Sequence, residues 1–333
     1  THMACSFSHY EACRMVVAPS LGAYMSWRWL RFFVIGFTFL LTPLMVVAET
    51  HALLIQGLGG EAWYQRQFDE QVELIGESLK GVIDEAHLTI LDVSAARREA
   101  VVEWFDTVAT GSVETDSVLI IMVGHGTFDG QEYKFNISGP DLTSGDIREN
   151  LDRLAVQGKV LLNTSSSSGA LLELLSGEST TLLTATKNGN ERNATRFGRF
   201  FARALGDTGA DLDKNQKISL QEAFDHAERA TSDFYDEEGL LATEHAQLSD
   251  SSGAQLAARM TLANLGGAES LQHSPELTQL IEERDQIDRE VESLRLQRIG
   301  MSDEDYQFVF QSLMLELISV QDEIELLEGG DVE

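Results

Sequence analysis

The sequence predicts an α/β protein with a mostly parallel β-sheet, followed by a helical tail. Between residues 51 and 255, short apolar runs alternate with amphipathic stretches, which is typical of successive β-α-β units. After that region the composition changes to Glu, Gln, Arg and Leu in heptad spacing. The chain of 333 residues is long enough for one sizeable domain and a smaller unit.

Five strands and five helices are predicted in the main domain, which we place at 49–255. The strands are Ala52–Ile55, Leu88–Val93, Val118–Val123, Val160–Asn163 and Thr181–Ala185. The helices are Phe68–Val82, Arg97–Val108, 144–155, Phe197–Leu205 and 220–230. A polar hairpin over 127–138 follows the third strand, because Tyr133, Phe135 and Ile137 alternate there with polar residues.

The tail is predicted to be a linker, 256–275, and a coiled-coil-like helical hairpin, 276–333. Gly300 separates its two helices, and Ser302 with Asp305 resembles a capping box. Two interpretations of its apolar stripe stay open: docking onto its own domain, and homo-oligomerisation. The stripe consists of Leu277, Leu280, Ile287, Val291 and Leu294, then Tyr306, Phe310, Leu313, Leu317, Val320, Ile324 and Leu327.

Residues 1–48 read as a leader. A cationic start near Arg28 and Arg31 precedes the apolar run Phe32–Val47, and Val46 with Ala48 suits a signal peptidase. The expectation is cleavage after Ala48, delivery to a periplasm or the outside, and no membrane span afterwards. A retained anchor is the alternative, since the run is only slightly shorter than the roughly 17 residues that span a bilayer. Residues 1–24 do not fit a signal and suggest an over-extended start.

Charge and cysteine content exclude several classes of function. The net charge is −30, and removing the leader's net +2 leaves −32, which disfavours nucleic acid and anionic membranes as partners. Cys5 and Cys13 both precede the apolar run. A processed chain would therefore hold no disulfide, thiolate or cysteine-based zinc site.

Three strand ends carry residues suited to chemistry. Ligands and catalytic groups gather beyond the carboxyl ends of parallel strands. Val-Gly-His-Gly at 123–126 makes His125 a candidate general base between two glycines. The next strand ends in Asn-Thr-Ser-Ser-Ser-Ser-Gly, whose backbone amides could hold an oxyanion. The polar segment 184–191 after the following strand could form a pocket wall.

These motifs resemble the legumain-like branch of the caspase-fold cysteine peptidases, over roughly residues 51–250. In that family one strand ends in His-Gly, and the next ends in a catalytic Cys followed by any residue, Ser and Gly; here that motif falls on residues 166–169. The resemblance implies a three-layer α/β/α sandwich, His125 as catalytic base and the Gly126 amide in the oxyanion hole. Ser166 stands where the family carries its nucleophile.

The serine changes the functional expectation. A thiol ionises near pKa 8.5, whereas a hydroxyl needs an aligned base and usually a third orienting group. No such acid is evident in the sequence, although Asp92 at the second strand's end is conceivable. We therefore predict an inactive exported homologue that binds a peptide or protein and requires no cofactor. The alternatives are a peptidase using a His125/Ser166 dyad, and a deliberate replacement of cysteine by serine.

An acidic segment matches the spacing of a calcium loop. It places oxygen ligands at positions 1, 3, 5, 7, 9 and 12 of an EF-hand-type loop, with Lys217 contributing its backbone carbonyl. Gln216 replaces the glycine of the sharp turn, at a cost of about 1 kcal/mol if the turn is left-handed. Calcium binding and a solvated acidic turn both stay open. The candidate ligands are Asp211, Asp213, Asn215, Lys217, Ser219 and Glu222.

A weaker pattern follows the first strand. Gly57-Leu-Gly-Gly-Glu-Ala62 loosely matches a dinucleotide-binding fingerprint, with Asp92 at the end of the second strand. The spacing to Asp92 exceeds the usual interval of about 20 residues. Exported proteins also seldom meet nicotinamide cofactors. We therefore rank this interpretation below the peptidase frame.

Overall fold

A computed structural model describes residues 48–175, 180–250, 255–265 and 301–328, with individual positions between 277 and 298. The chain divides into two compact units, 1–47 and 48–333, and the described residues belong to the second. The predicted leader, except Ala48, and Gly300 lie outside the described residues. Within them, no helix is both long enough and apolar enough to cross a membrane.

The centre of the domain is a six-stranded, mostly parallel sheet. Its parallel strands are β1 (Thr50–Gln56), β2 (Leu88–Leu91), β3 (Ser117–Val123), β7 (Gly158–Asn163) and β8 (Thr180–Thr184). The strand β10 (Gln247–Asp250) pairs antiparallel with β8. The spatial order is β2-β1-β3-β7-β8-β10, so the chain leaves β1 towards one edge, returns to β3, and then proceeds to the other edge.

Helices cover both faces of this sheet, which gives three layers. One face packs on α1 (Ala62–Lys80), α5 (Phe197–Ala204), α6 (Leu220–Glu237) and α7 (Leu256–Arg259). The other packs on α2 (Arg98–Gly111), α3 (Ser144–Asp152) and α4 (Ala170–Leu174). Alternate residues of β3 enter opposite cores: Leu119 and Ile121 on one side, Val118 and Ile120 on the other.

Two small antiparallel sheets complete the domain. The predicted hairpin is confirmed as β4 (Gly126–Phe128) and β5 (Tyr133–Phe135), and β6 (Leu142–Thr143) extends it. The strand β9 (Lys217–Ser219) pairs with β11 (Thr261–Asn264). The sequence pattern does not predict β10, because the strand is short and mostly polar, although its Leu248 packs against the core.

The core of the domain continues beyond the predicted boundary at 255. Leu256, Ala257, Met260 and Leu262 are buried in the same core as α1 and α5, so the domain continues through β11. The first ten residues of the predicted linker 256–275 therefore belong to the fold. The sequence pattern does not predict this extension of the domain, because its apolar segments are short and are interrupted by polar residues. The extension joins the core through the pairing of β11 with β9 rather than through a long periodic stretch.

The tail contacts its own domain, which supports the docking interpretation. Described positions from 277 to 294 are helical, and α8 (Asp303–Glu328) follows. Their apolar stripe packs on Trp63 of α1, and the Arg284 guanidinium lies 2.9 Å from the Glu70 carboxylate. The predicted cap is present, since the Asp305 amide donates to the Ser302 hydroxyl at 3.1 Å. Homo-oligomerisation through these helices stays a prediction.

Candidate functional site

The site lies where the sheet reverses its winding, at the carboxyl ends of β1 and β3. The chain leaves these adjacent strands in opposite directions across the sheet, which opens a crevice between their ends. The two backbones approach closely there. A Cβ atom on Gly124 would lie 2.9 Å from the Gly57 Cα atom, so a side chain at this position would push the two strand ends apart.

His125 follows β3 directly and is half-buried beside α1. Its ring makes T-shaped contacts with the rings of Tyr64 and Phe68, at centroid separations of 4.7 and 5.0 Å. Burial lowers the pKa of His125 below its ordinary value, and a hydrogen bond with the Gly59 backbone and the charge of Glu61 oppose that shift only in part. The imidazole is therefore neutral at neutral pH, as a general base must be.

Ser166 lies in the turn after β7, next to the His-Gly segment as the resemblance implies. It is 5% exposed, and its hydroxyl donates to the Gly126 carbonyl oxygen at 3.1 Å. Among the hydrogen bonds of the described residues, none joins Ser166 to His125. The structure thus brings the two predicted residues to one place, but it directs the serine proton to a backbone carbonyl.

A buried tyrosine packs beneath this turn, a role that the sequence analysis does not predict. The Tyr133 hydroxyl lies 2.6 Å from the Ser165 hydroxyl and accepts from the Asn163 amide at 2.9 Å. Burial raises the pKa of Tyr133 to about 12, so it stays protonated. A Cβ atom on Gly126 would come within 2.7 Å of Tyr133, Ser165 and Ser166, which explains the glycine after His125.

The turn after Ser166 is strained. Ser167 has a φ of 57°, in the left-handed region that costs an ordinary residue about 1–2 kcal/mol. Its hydroxyl is buried and, within the described part of the chain, has no hydrogen-bond partner. Its amide donates to the Glu191 carbonyl at 2.8 Å, and the Gly169 amide donates to the Thr186 hydroxyl at 2.8 Å. Strain of this kind concentrates at functional sites.

The loop after β8 contacts the turn that holds Ser166, because the Ser167 amide donates to the Glu191 carbonyl. The Glu191 carboxylate lies 2.5 Å from the His245 ring and 3.3 Å from the Lys187 ammonium. Burial raises the pKa of Glu191, but hydrogen bonds from the Lys187 amide and from His245 outweigh it and leave the pKa below its ordinary value. The Glu191 carboxylate is therefore held by two basic side chains, and a pocket wall at 184–191 stays a prediction.

The structure does not support two minor predictions, one for Asp92 and one for the glycine-rich segment. The Asp92 carboxylate accepts from the amides of Ser94 and Ala95 at 2.8 Å, so it stabilises its own turn instead of orienting His125. In the glycine-rich segment after β1, the Gly59 amide donates to the Gln65 side chain at 3.1 Å. A Cβ atom on Gly59 would collide with the α1 backbone at Gln65. This glycine serves local packing, which leaves the dinucleotide interpretation unsupported.

The acidic loop adopts the conformation that its spacing predicts. Asp211, Asp213 and Glu222 each place a carboxylate oxygen within 4.8 Å of the others. Gln216 has a φ of 64°, so the left-handed turn is present without the glycine. Burial raises the pKa of Glu222, but hydrogen bonds from Ser219 and from the amides of Asp213 and Leu212 outweigh it, and the pKa lies below its ordinary value. These three carboxylates could hold a metal ion.

The remaining predicted ligands of this loop are bound to their own turn. The Asn215 side chain accepts from the Lys217 amide at 2.8 Å and donates to the Asp213 carboxylate at the same distance. The Ser219 hydroxyl donates to the Glu222 carboxylate at 2.7 Å as part of the cap of α6. A bound cation would therefore have to replace some of these hydrogen bonds.

Comparison with known proteins gives little further information. No family model matches the chain, and no curated protein matches it. One solved structure to which it is similar is the protein GSU0716 from Geobacter sulfurreducens, with 10% identity and a TM-score of 0.43, covering 65% of this chain and 99% of that one.

The depressed pKa of His125 gives a testable prediction. Its imidazole should titrate below 6.5 in NMR spectra of the folded protein, and Phe68→Ala should raise that pKa by admitting water. Because the folded pKa is depressed, this group contributes stability above about pH 6.5, and the contribution is lost as the pH falls through the folded value.

Phe105→Ala is the matched control, since Phe105 lies in the core on the opposite face of the sheet. It should leave the His125 titration unchanged. A native His125 pKa at or above 6.5 would contradict this description of the site.

Proposed function

We propose that this chain is a homologue of the legumain-like cysteine peptidases whose site has lost its catalytic activity, and that it binds a peptide or protein outside the cytoplasm. The proposal combines the motif resemblance with the geometry at the strand ends. Its fold component is a caspase-like sandwich, supported by a six-stranded sheet with one antiparallel edge strand and helices on both faces.

The single observation that carries the proposal is the contact between the two motifs. The Ser166 hydroxyl is bonded to the Gly126 carbonyl, and Gly126 is the residue directly after His125. Two segments 40 residues apart thus meet at the backbone of the residue that follows His125. The parallel pairing of β3 with β7 brings these two strand ends together, and the motif resemblance gives the contact its functional interpretation.

The same contact supports inactivity. The hydroxyl must give its proton to a base before its oxygen can attack. Here the hydroxyl is hydrogen-bonded to a carbonyl oxygen, which is too weak a base to take the proton. A third group that orients the imidazole is also needed for efficient serine chemistry. The His125 ring instead has aromatic neighbours and the Gly59 backbone, and the nearby carboxylate that influences it is the exposed Glu61.

The charge of the chain supports binding of a peptide. The Glu191 carboxylate is already paired with Lys187 and His245, so the support comes from the chain as a whole. With a net charge of −30, the chain attracts cationic ligands. A basic peptide is therefore the ligand class that this charge favours.

A serine-directed phosphonate tests the loss of catalysis. The folded native protein should remain unlabelled in intact mass spectra, because the hydroxyl is not activated. Ser166→Ala should leave binding of a basic peptide unchanged within about twofold, since the hydroxyl donates its hydrogen bond to the protein's own backbone.

Labelling of the native protein that disappears in His125→Ala would overturn the proposal in favour of an active serine dyad. Loss of peptide binding in Ser166→Ala, with unchanged thermal unfolding, would equally count against a purely binding role.

We further propose that the acidic loop binds calcium and fixes the start of α6. Support comes from the three converging carboxylates and the left-handed Gln216, together with the pairing of β9 to β11 beside the loop. Oxygen ligands of this number and kind suit calcium rather than a softer metal.

Calcium should raise the melting temperature of the native protein, and Glu222→Gln should remove most of that rise while keeping a side-chain acceptor for the α6 cap. The control is Asp225→Asn, which removes a carboxylate on α6 outside the loop and should respond like the native protein. An equal rise in Glu222→Gln, or none in the native protein, would contradict calcium binding at this loop.

A further inference from the structure

A buried carboxylate lies at the opposite end of the sheet from the crevice, beside the start of the described chain. Asp116 is 3% exposed and precedes β3. Its Oδ1 atom accepts from the backbone nitrogen of Glu49 at 3.0 Å, and its Oδ2 atom accepts from the Val113 amide at 2.8 Å. A carboxylate this buried is costly unless hydrogen bonds and opposite charge compensate it.

The histidine beside the Asp116 carboxylate makes no hydrogen bond with it. His51 on β1 places its Nε2 atom 3.6 Å from Oδ2, which is too long for a hydrogen bond, and that buried nitrogen has no hydrogen-bond partner in the described part of the chain. His87 contacts the ring of His51 at 4.6 Å and pairs with the Glu49 side chain at 3.3 Å. Glu114 lies two residues before Asp116 in the sequence and is a further acidic residue there.

Burial raises the pKa of Asp116, but hydrogen bonds from the backbone of Glu49 and Val113 and the charge of His51 outweigh it and hold the pKa below its ordinary value. The group is therefore an anion at neutral pH. Its Oδ1 atom faces the backbone nitrogen of Glu49, and among the described residues no arginine or lysine forms an ion pair with it.

The boundary of the folded unit falls at this same point. The compact unit that holds the domain begins at Ala48, and β1 begins at Thr50. The leader pattern ends in Val46 and Ala48, the small residues that a leader peptidase reads. The bond that such an enzyme would hydrolyse is the peptide bond whose nitrogen already touches Asp116.

We propose that Asp116 is the receptor for a new α-ammonium group, released when a leader peptidase hydrolyses the Ala48–Glu49 bond. Water adds across that bond: Ala48 leaves with a carboxylate, and the Glu49 nitrogen gains protons and a positive charge. The existing 3.0 Å contact then becomes an ion pair between a buried carboxylate and an ammonium. Processing thereby fixes the first residue of the mature chain to the edge of the sheet.

The first test identifies the mature start. The full chain is expressed in a host that exports it, and the recovered protein is sequenced from its amino terminus. The expected first residue is Glu49. A retained leader, or any other first residue, would overturn the proposal, because the proposed ion pair needs the α-ammonium group on the Glu49 nitrogen that contacts Asp116.

The second test measures the new amine. Reductive methylation with 13C-formaldehyde keeps the charge and reports the α-amine in NMR spectra. In the folded mature protein its pKa should lie about one unit above the ordinary 7.7–8.0, and it should return to that range in urea. Since the folded pKa is raised, the gain in stability is present below about pH 7.7 and is lost as the pH rises through the folded value.

Asp116→Asn should restore the ordinary pKa in the folded protein, and Asp92→Asn, which alters a turn carboxylate elsewhere, should not. If Asp116→Asn does not fold, the comparison of folded and urea-unfolded native protein decides alone. An identical α-amine pKa in those two states would overturn the ion pair.

Discussion

The contact between Gly126 and the Ser165–Ser166 turn is the constraint on which the site depends. Two strand ends can meet this closely only because position 126 has no side chain, and a Cβ atom there would collide with three neighbouring oxygen atoms. Tyr133 holds the turn from beneath through Ser165 and Asn163. The hairpin after His125 therefore does more than extend the sheet, since it supplies the buried hydroxyl against which the second motif is positioned.

Under the proposed function, this geometry would let a peptidase frame persist without its reaction. In the proposed family a thiol at residue 166 would lose its proton readily, whereas the hydroxyl found here is bound to a carbonyl. The half-buried His125 and the strained turn at Ser167 are both present. On the proposed function, the backbone would keep the positions of the site, and the atom at residue 166 would decide whether catalysis occurs.

Much of this arrangement could be predicted from the sequence. Continuous apolar runs gave the five parallel strands, and the rule that ligands gather at their carboxyl ends placed His125 and Ser166 together. The cap formed by Ser302 and Asp305 could also be predicted. Three features could not be predicted, because each depends on long-range contacts: the edge strand β10, the extension of the domain through β11, and the Tyr133 hydroxyl beneath the turn. The pairing of Asp116 with residue 49, 67 positions away, belongs to the same class.

The most direct test of the account is cleavage of a peptide library, in the presence of calcium, by three proteins: native, Ser166→Cys, and Ser166→Cys combined with His125→Ala. The account predicts no cleavage by the native protein, cleavage by Ser166→Cys, and loss of that activity in the double variant. Cleavage by the native protein would establish serine chemistry. If all three folded proteins are inactive, the crevice at the ends of β1 and β3 is not a peptidase frame, and the central claim is wrong.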